Sequence, residues 1–196
     1  MARRNDPRKK DLILKSARQL FKERGVEKTT IAEIARHSGI ATGTVYVYFD
    51  SKGKIIDALC DFYLMDNLRA VTESYKEPDL RKAAAAAIHA ALKHASENAD
   101  LVRLIDIRRS VWGKANRPEA DRELQKATRD RLSKYVAEGY IKSYNVKILA
   151  ELITGLLEWI SKVCFVWSDV DPSRYEATLV QLLNDALTAN YKEEKP

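Results

Sequence analysis

Apolar residues recur at spacings of three and four along most of the chain, with no sustained two-residue alternation of the kind strands need. Ile13, Ala17, Leu20 and Phe21 mark one face of a helix from about Asp11 to Arg24, with Gly25 placed to end it. Thr30, Ile31, Ala32 and Glu33 then form a capping box: the hydroxyl covers the amide three residues on, and Glu33 reaches back. Ile31, Ile34 and Ala35 share the inner face of this second helix. Gly39 stops it in a conformation that a side chain disfavours, and Ile40 follows as an apolar plug. Thr42 to Phe49 make a third helix that buries Val45 and Phe49 and turns Thr42, Gly43, Thr44, Val47 and Tyr48 outward. Helix, glycine turn and helix at this spacing predict a helix-turn-helix whose second helix enters a DNA major groove.

The pattern continues as helices to the end. Asp50 or Ser51 caps a long helix through Ile55, Leu59, Phe62 and Tyr63 to about Ser74. Pro78 or Asp79 opens the next, where Ala83–Ala87, Ala90 and Ala91 make a thin rod that neighbours can approach closely. Leu101–Trp112 and Ala120–Ala137 follow, the second so charged that it reads as a solvated face. Val146–Trp167 is apolar except for Lys147, Glu151, Glu158 and Lys162, which fall within a stripe of about 60° at 100° per residue. So wide an apolar face must be buried on two sides, one by the chain itself and one by a second copy. Its expected contacts are Leu149, Ile153, Leu156 and Ile160, joined by Tyr175, Leu179, Leu182, Leu183 and Ala186 of a last helix opened by Asp171-Pro172. The fold class is all-α, with domains expected at 1–54 and 55–196.

Charge sharpens that division. The chain carries a formal +6, yet residues 1–54 hold 13 Lys+Arg against 6 Asp+Glu, and residues 55–196 hold 21 against 22. All the positive excess therefore accompanies the helix-turn-helix, as in a polyanion-binding module attached to a module with another task. The tail containing Arg3, Arg4, Arg8, Lys9 and Lys10 suits phosphates or a minor groove, and equally suits solubility. Arg36 and His37 are open between solvent and phosphate. Cys60 and Cys164 sit in apolar helical patterns and read as reduced core residues, which favours a cytoplasmic location. No signal peptide or bilayer span is expected, since ionic groups interrupt Val146–Trp167. Nor is an enzyme: no phosphate loop, nucleophile elbow or dinucleotide fingerprint occurs, and His89 and His94 stand about 140° apart on a helix.

The motifs Ala17-x-x-Leu20-Phe21-x-x-x-Gly25, Thr29-Thr30-x-x-x-Ile34-Ala35 and GIATGTVYVYFDSK at Gly39–Lys52 resemble the DNA-binding domain of the tetracycline-repressor (TetR/AcrR) family. The resemblance covers about 45 residues and extends beyond them only in length and helical layout. It implies an N-terminal three-helix DNA-binding domain and a C-terminal helical domain for effector binding and dimerisation. The expected protein is a homodimeric regulator, usually a repressor, on double-stranded operator DNA and released by a small, hydrophobic effector. A constitutive, effector-independent interaction module is the alternative. By the same resemblance Thr42, Gly43 and Thr44 lie at the groove, Tyr46 and Lys52 on phosphates, and Val47 and Tyr48 toward base edges, with Thr30 also on the DNA side. Ala41 replaces a common capping Ser, Val47–Tyr48 a frequent Tyr or His pair, and Gly53 an acidic residue. Effector-pocket candidates are Tyr63, Ile88, Leu92, Leu104, Arg108, Trp112, Trp159 and Phe165, each of which also suits plain core packing. No cofactor or metal is expected.

Overall fold

The computed structural model describes residues 6–112, 118–168 and 170–188, without the side chains of 109–112 and 186–188. Nine α-helices and no strand occur among the described residues: α1 (Pro7–Arg24), α2 (Ile31–Ser38), α3 (Thr42–Tyr48), α4 (Lys52–Ser74), α5 (Leu80–Glu97), α6 (Ala99–Trp112), α7 (Glu119–Ala137), α8 (Val146–Lys162) and α9 (Ser173–Thr188). None is long and apolar enough to cross a membrane.

Two compact units divide between Phe62 and Tyr63, inside α4. The expected boundary at 54/55 lies in the same helix, and the division falls eight residues further along it. Its cause is visible in Ile55, Ile56 and Leu59, which are buried and tie the start of α4 to the first unit. In that unit Ile13, Ala17, Ile34, Val45 and Phe49 are buried at the helical spacings that the sequence displays. Each fully buried branched side chain of this kind contributes ~1.5–3 kcal/mol. The first helix starts earlier than Asp11. Asp6 accepts the Arg8 amide at 3.0 Å and Pro7 takes the first helical position, so Arg8, Lys9 and Lys10 are helical rather than part of the tail. Arg3 and Arg4 lie outside the described residues.

The second unit has three apolar clusters. One joins Ile88 and Leu92 of α5 to Ile160, Cys164 and Leu179. Another joins Leu132 and Tyr135 of α7 to Ile141 and Ala150. The third joins Val71 of α4 to Ala87 and Ala91 of α5. Cys60 and Cys164 are buried, and neither forms a disulfide. The expected helix Val146–Trp167 ends its α geometry at Lys162 and closes with a π turn, Val163–Trp167, where the Ser168 amide donates to the Val163 carbonyl at 3.0 Å. Asp79, not Pro78, caps α5, and Ser51, not Asp50, accepts from the start of α4.

Candidate functional site

The helix-turn-helix is set by three local devices. The capping box is complete: Glu33 N–H donates to Thr30 Oγ1 at 3.2 Å, and Thr30 N–H to Glu33 Oε2 at 2.8 Å. The Thr30 amide, then its hydroxyl, hold the Glu33 carboxyl below the usual carboxylate range. Gly39 takes φ 68°, ψ 21°, and the Ile40 amide donates back to Ala35 O at 3.0 Å, which closes α2 and reverses the chain. Lys52 supplies the third device. Its Nζ donates to Val26 O at 2.7 Å and Thr29 O at 3.0 Å, fastening the turn before α2 to the start of α4.

These constraints present α3. Val45 and Phe49 are buried, whereas Tyr46 is 50% and Val47 57% exposed, more than a core assignment allows. Thr42 and Gly43 are exposed, and Thr44 and Tyr48 half-buried. Ala41 offers no side-chain cap to the first amides of α3. Gly43 has no steric reason within the protein: a Cβ there meets nothing within 4 Å. Glycine in a helix costs about 1 kcal/mol relative to alanine, so its use here suits close approach by another molecule's backbone.

Two of the expected contact residues at this face also hold the fold. Lys52 has two protons committed to backbone carbonyls, which hold the turn and leave one proton of the ammonium over. Tyr48 is anchored as well. Its hydroxyl accepts from Asp6 N–H at 2.9 Å and lies 3.2 Å from Asp6 O, which draws the ring toward the start of α1. Thr30 is exposed, but its hydroxyl serves the capping box. Lysine and tyrosine spacing gives no sign of such distant carbonyl partners.

A cavity of about 210 Å³ lies within the second unit. One water needs only roughly 10–15 Å³, so this space suits an organic molecule. Its walls come from α4 (Tyr63, Asn67, Val71, Tyr75), the thin face of α5 (Ala83, Ala84, Ala87, Ile88, Ala91) and α7 (Asp121, Gln125, Thr128, Arg131, Tyr135), with parts of α6, α8 and α9. The alanines of α5 thus leave room instead of drawing neighbours close. Of the pocket candidates, Tyr63 and Ile88 line the cavity. Leu92 and Leu104 are buried away from it, Phe165 packs on the Ile160 cluster, and Arg108 is half-buried outside the lining. Trp159 is exposed and meets Tyr175 edge-on at 6.4 Å. The Trp112 side chain lies outside the described residues.

The polar wall is not among the sequence expectations because α7 is so charged. Its period nevertheless carries the signal: Gln125, Thr128, Arg131 and Tyr135 share one face. Tyr75 Oη and Thr128 Oγ1 are 2.8 Å apart; Arg131 donates from Nε to Tyr135 Oη and from Nη2 to Glu77 O, both at 2.6 Å. Burial pushes both tyrosine hydroxyls up, so both remain protonated at neutral pH. The ionic stripe of α8 also turns partly inward. Glu158 and Lys162 line the cavity, and Lys162 pairs with Asp106 at 3.0 Å and Glu158 at 3.3 Å.

The apolar surface left on α8 is not the one expected. Ile160 and Leu179 are buried within the chain, and Leu149, Ile153, Leu156, Tyr175 and Leu183 pack partly buried against its clusters. Ile148, Leu152 and Trp159 are exposed instead, while Leu182 of α9, an expected contact, is exposed as well. A helix with two apolar faces does not disclose by hydropathy alone which one folds inward. The Ala186 side chain lies outside the described residues.

A three-helix reading head with an exposed α3, followed by an all-α unit around a cavity, defines a two-unit helix-turn-helix protein. Residues 13–59 match the family model described as bacterial regulatory proteins, tetR family. The chain is 36% identical over 69 residues to HTH-type transcriptional regulator TtgR of Pseudomonas putida, an alignment covering 34% of this chain and 33% of that protein. It thus spans about a third of that relative's length. It is 25% identical over 182 residues to the uncharacterized HTH-type transcriptional regulator YdgC of Bacillus subtilis, covering 87% and 88% of the two chains. The fold superposes with a TM-score of 0.71 on the transcriptional regulator FadR from Bacillus subtilis in complex with stearoyl-CoA, at 20% identity over 88% of this chain and 96% of that one. The family match thus rests on residues 13–59, about a quarter of the chain, and the solved structure carries the fold alone.

Proposed function

We propose that this chain is a cytoplasmic, homodimeric transcriptional repressor that leaves a palindromic operator when a small effector with an apolar body fills the cavity. The carrying observation is α3: Gly43, Tyr46 and Val47 are exposed on a helix fixed by the Gly39 turn and the Lys52 clamp. In this reading the exposed start of α3 meets phosphate, Tyr46 meets backbone, and Val47 meets a thymine methyl. Two copies pair through Ile148, Leu152 and Trp159 of α8 with Leu182 of α9, an apolar patch a lone chain leaves in water. A dimer places its reading helices roughly 34–36 Å apart, or a multiple of that, on successive turns of one face. An effector that favours another spacing releases DNA, and DNA lowers effector affinity by the same factor.

Selection from a pool of random duplexes tests this reading. An inverted repeat should emerge, bound with an affinity that falls steeply with salt. Tyr46→Phe should weaken all sites roughly three- to tenfold, as loss of one hydrogen bond implies, while Val47→Ala should change the preferred bases. Recovery of no inverted repeat, or a chain that sediments as a monomer at micromolar concentration, would overturn the proposal.

A further inference from the structure

The cavity has one pole made of hydrogen-bond donors. Tyr135 Oη accepts from Arg131 Nε, and its own proton has no partner among the described residues. Tyr75 and Thr128 share one hydrogen bond, which leaves one hydroxyl proton of the pair over. Arg131 uses Nε and one Nη2 proton on neutral oxygens; its remaining N–H groups and its charge meet no carboxylate within 4 Å among the described residues. The guanidinium also lies 4.6 Å from the Tyr135 ring centroid, which fixes its plane. Thr128, Arg131 and Tyr135 are successive positions on one α7 face, and Tyr75 faces them from α4.

The other ionic groups around the cavity are elsewhere or already countered. Lys162 is held by Asp106 and Glu158, and Glu151 is exposed. Asp121 stands ten residues before Arg131, about 15 Å along the helix axis. Near Tyr135, Glu138 pairs with Lys134 at 3.7 Å and Asp79 accepts the Lys82 amide at 2.9 Å. An acceptor-only group with negative charge satisfies both the protons and the charge of this pole; an alcohol accepts but leaves the charge uncountered, and an ammonium cannot accept. The opposite wall is Val71, Ala83, Ala87, Ile88 and Leu157, where an apolar body gains by leaving water.

We propose that the cavity selects an amphiphilic carboxylate, its head on Arg131 and Tyr135 with Tyr75–Thr128 alongside, and its apolar body against the alanine face of α5. The inference rests on the cavity being the effector site. Arg131 and Tyr135 are then specificity-determining contacts.

The test uses the full chain with N-phenyl-1-naphthylamine, a neutral dye that brightens in apolar surroundings, displaced by decanoate, 1-decanol or decanoyl-CoA at neutral pH and below micelle formation. Decanoate should compete at least tenfold better than 1-decanol, with no variant needed. In Arg131→Gln that preference should collapse to within about twofold while 1-decanol binding persists, and Arg131→Lys should retain part of it. A thermal melt identifies a variant that has lost its fold, in which case the wild-type comparison decides. Equal competition by decanoate and 1-decanol, or competition by decanoyl-CoA alone, would overturn the carboxylate seat and leave the cavity reading standing. Failure of the dye and every competitor to bind would overturn both.

Discussion

The two units place their polar side chains in opposite ways. In the first, Ile34 and Val45 have no exposure, and the polar and aromatic groups of α3 face outward. In the second, polar groups of α7 face inward, toward space that the alanines of α5 leave unfilled. A filled core fixes a surface to about the precision of its packing, which suits recognition by shape. A partly filled interior gives up dispersion contacts and leaves its donors for a guest. One chain thus keeps its polar groups on the exterior of one unit and in the interior of the other.

Equal truncations in the two units test the contrast most strongly. Ile34→Ala should cost ~2–5 kcal/mol of stability, because a closed core cannot collapse around the gap. Leu124→Ala, at the cavity wall, should cost clearly less, since it widens an existing space. Urea titrations of both variants measure the difference; equal costs would mean that the second unit is as closely packed as the first. Next in size is Thr30→Ala, expected to cost about 1 kcal/mol through loss of the cap hydroxyl. Glu33 adds its own pH dependence. Its folded carboxyl lies below the ordinary value of 4.5, so its contribution is present above that value and is lost as pH falls through the lowered one. Asp79 and Asp171, held down by the Lys82 and Ser173 amides, lose theirs below the ordinary 3.8, so acid titration followed in each unit separates the two sets. The smallest effect is Gly43→Ala, which should raise stability by up to about 1 kcal/mol while weakening duplex binding. Opposite signs in a melt and a binding titration would sharpen the assignment of Gly43; matching signs would break it.

What the sequence discloses follows the same contrast. The capping box, the Gly39 turn and the buried pair Val45 and Phe49 are local, and each depends on residues a few positions apart. The Lys52 clamp and the Tyr48–Asp6 contact join positions 23 to 42 residues apart, where no period or motif announces them. Hydropathy finds both apolar sides of α8 but does not order them, so Ile160 and Leu179, expected at an interface, are instead core. In the cavity the inward polar face of α7 is written in its period, yet its many outward charges hide it. The alanine run of α5 has two meanings, close contact or vacancy, and only the positions of α4 and α7 choose between them.

The Lys52 ammonium, grasping two carbonyls of the loop that precedes α2, ties α4 to that loop. A twist of α4 about its own axis must either carry the loop along or tear the ammonium free and leave two oxygens seeking water. The tilt of α2 and α3 is thereby set partly by a side chain that belongs to neither helix.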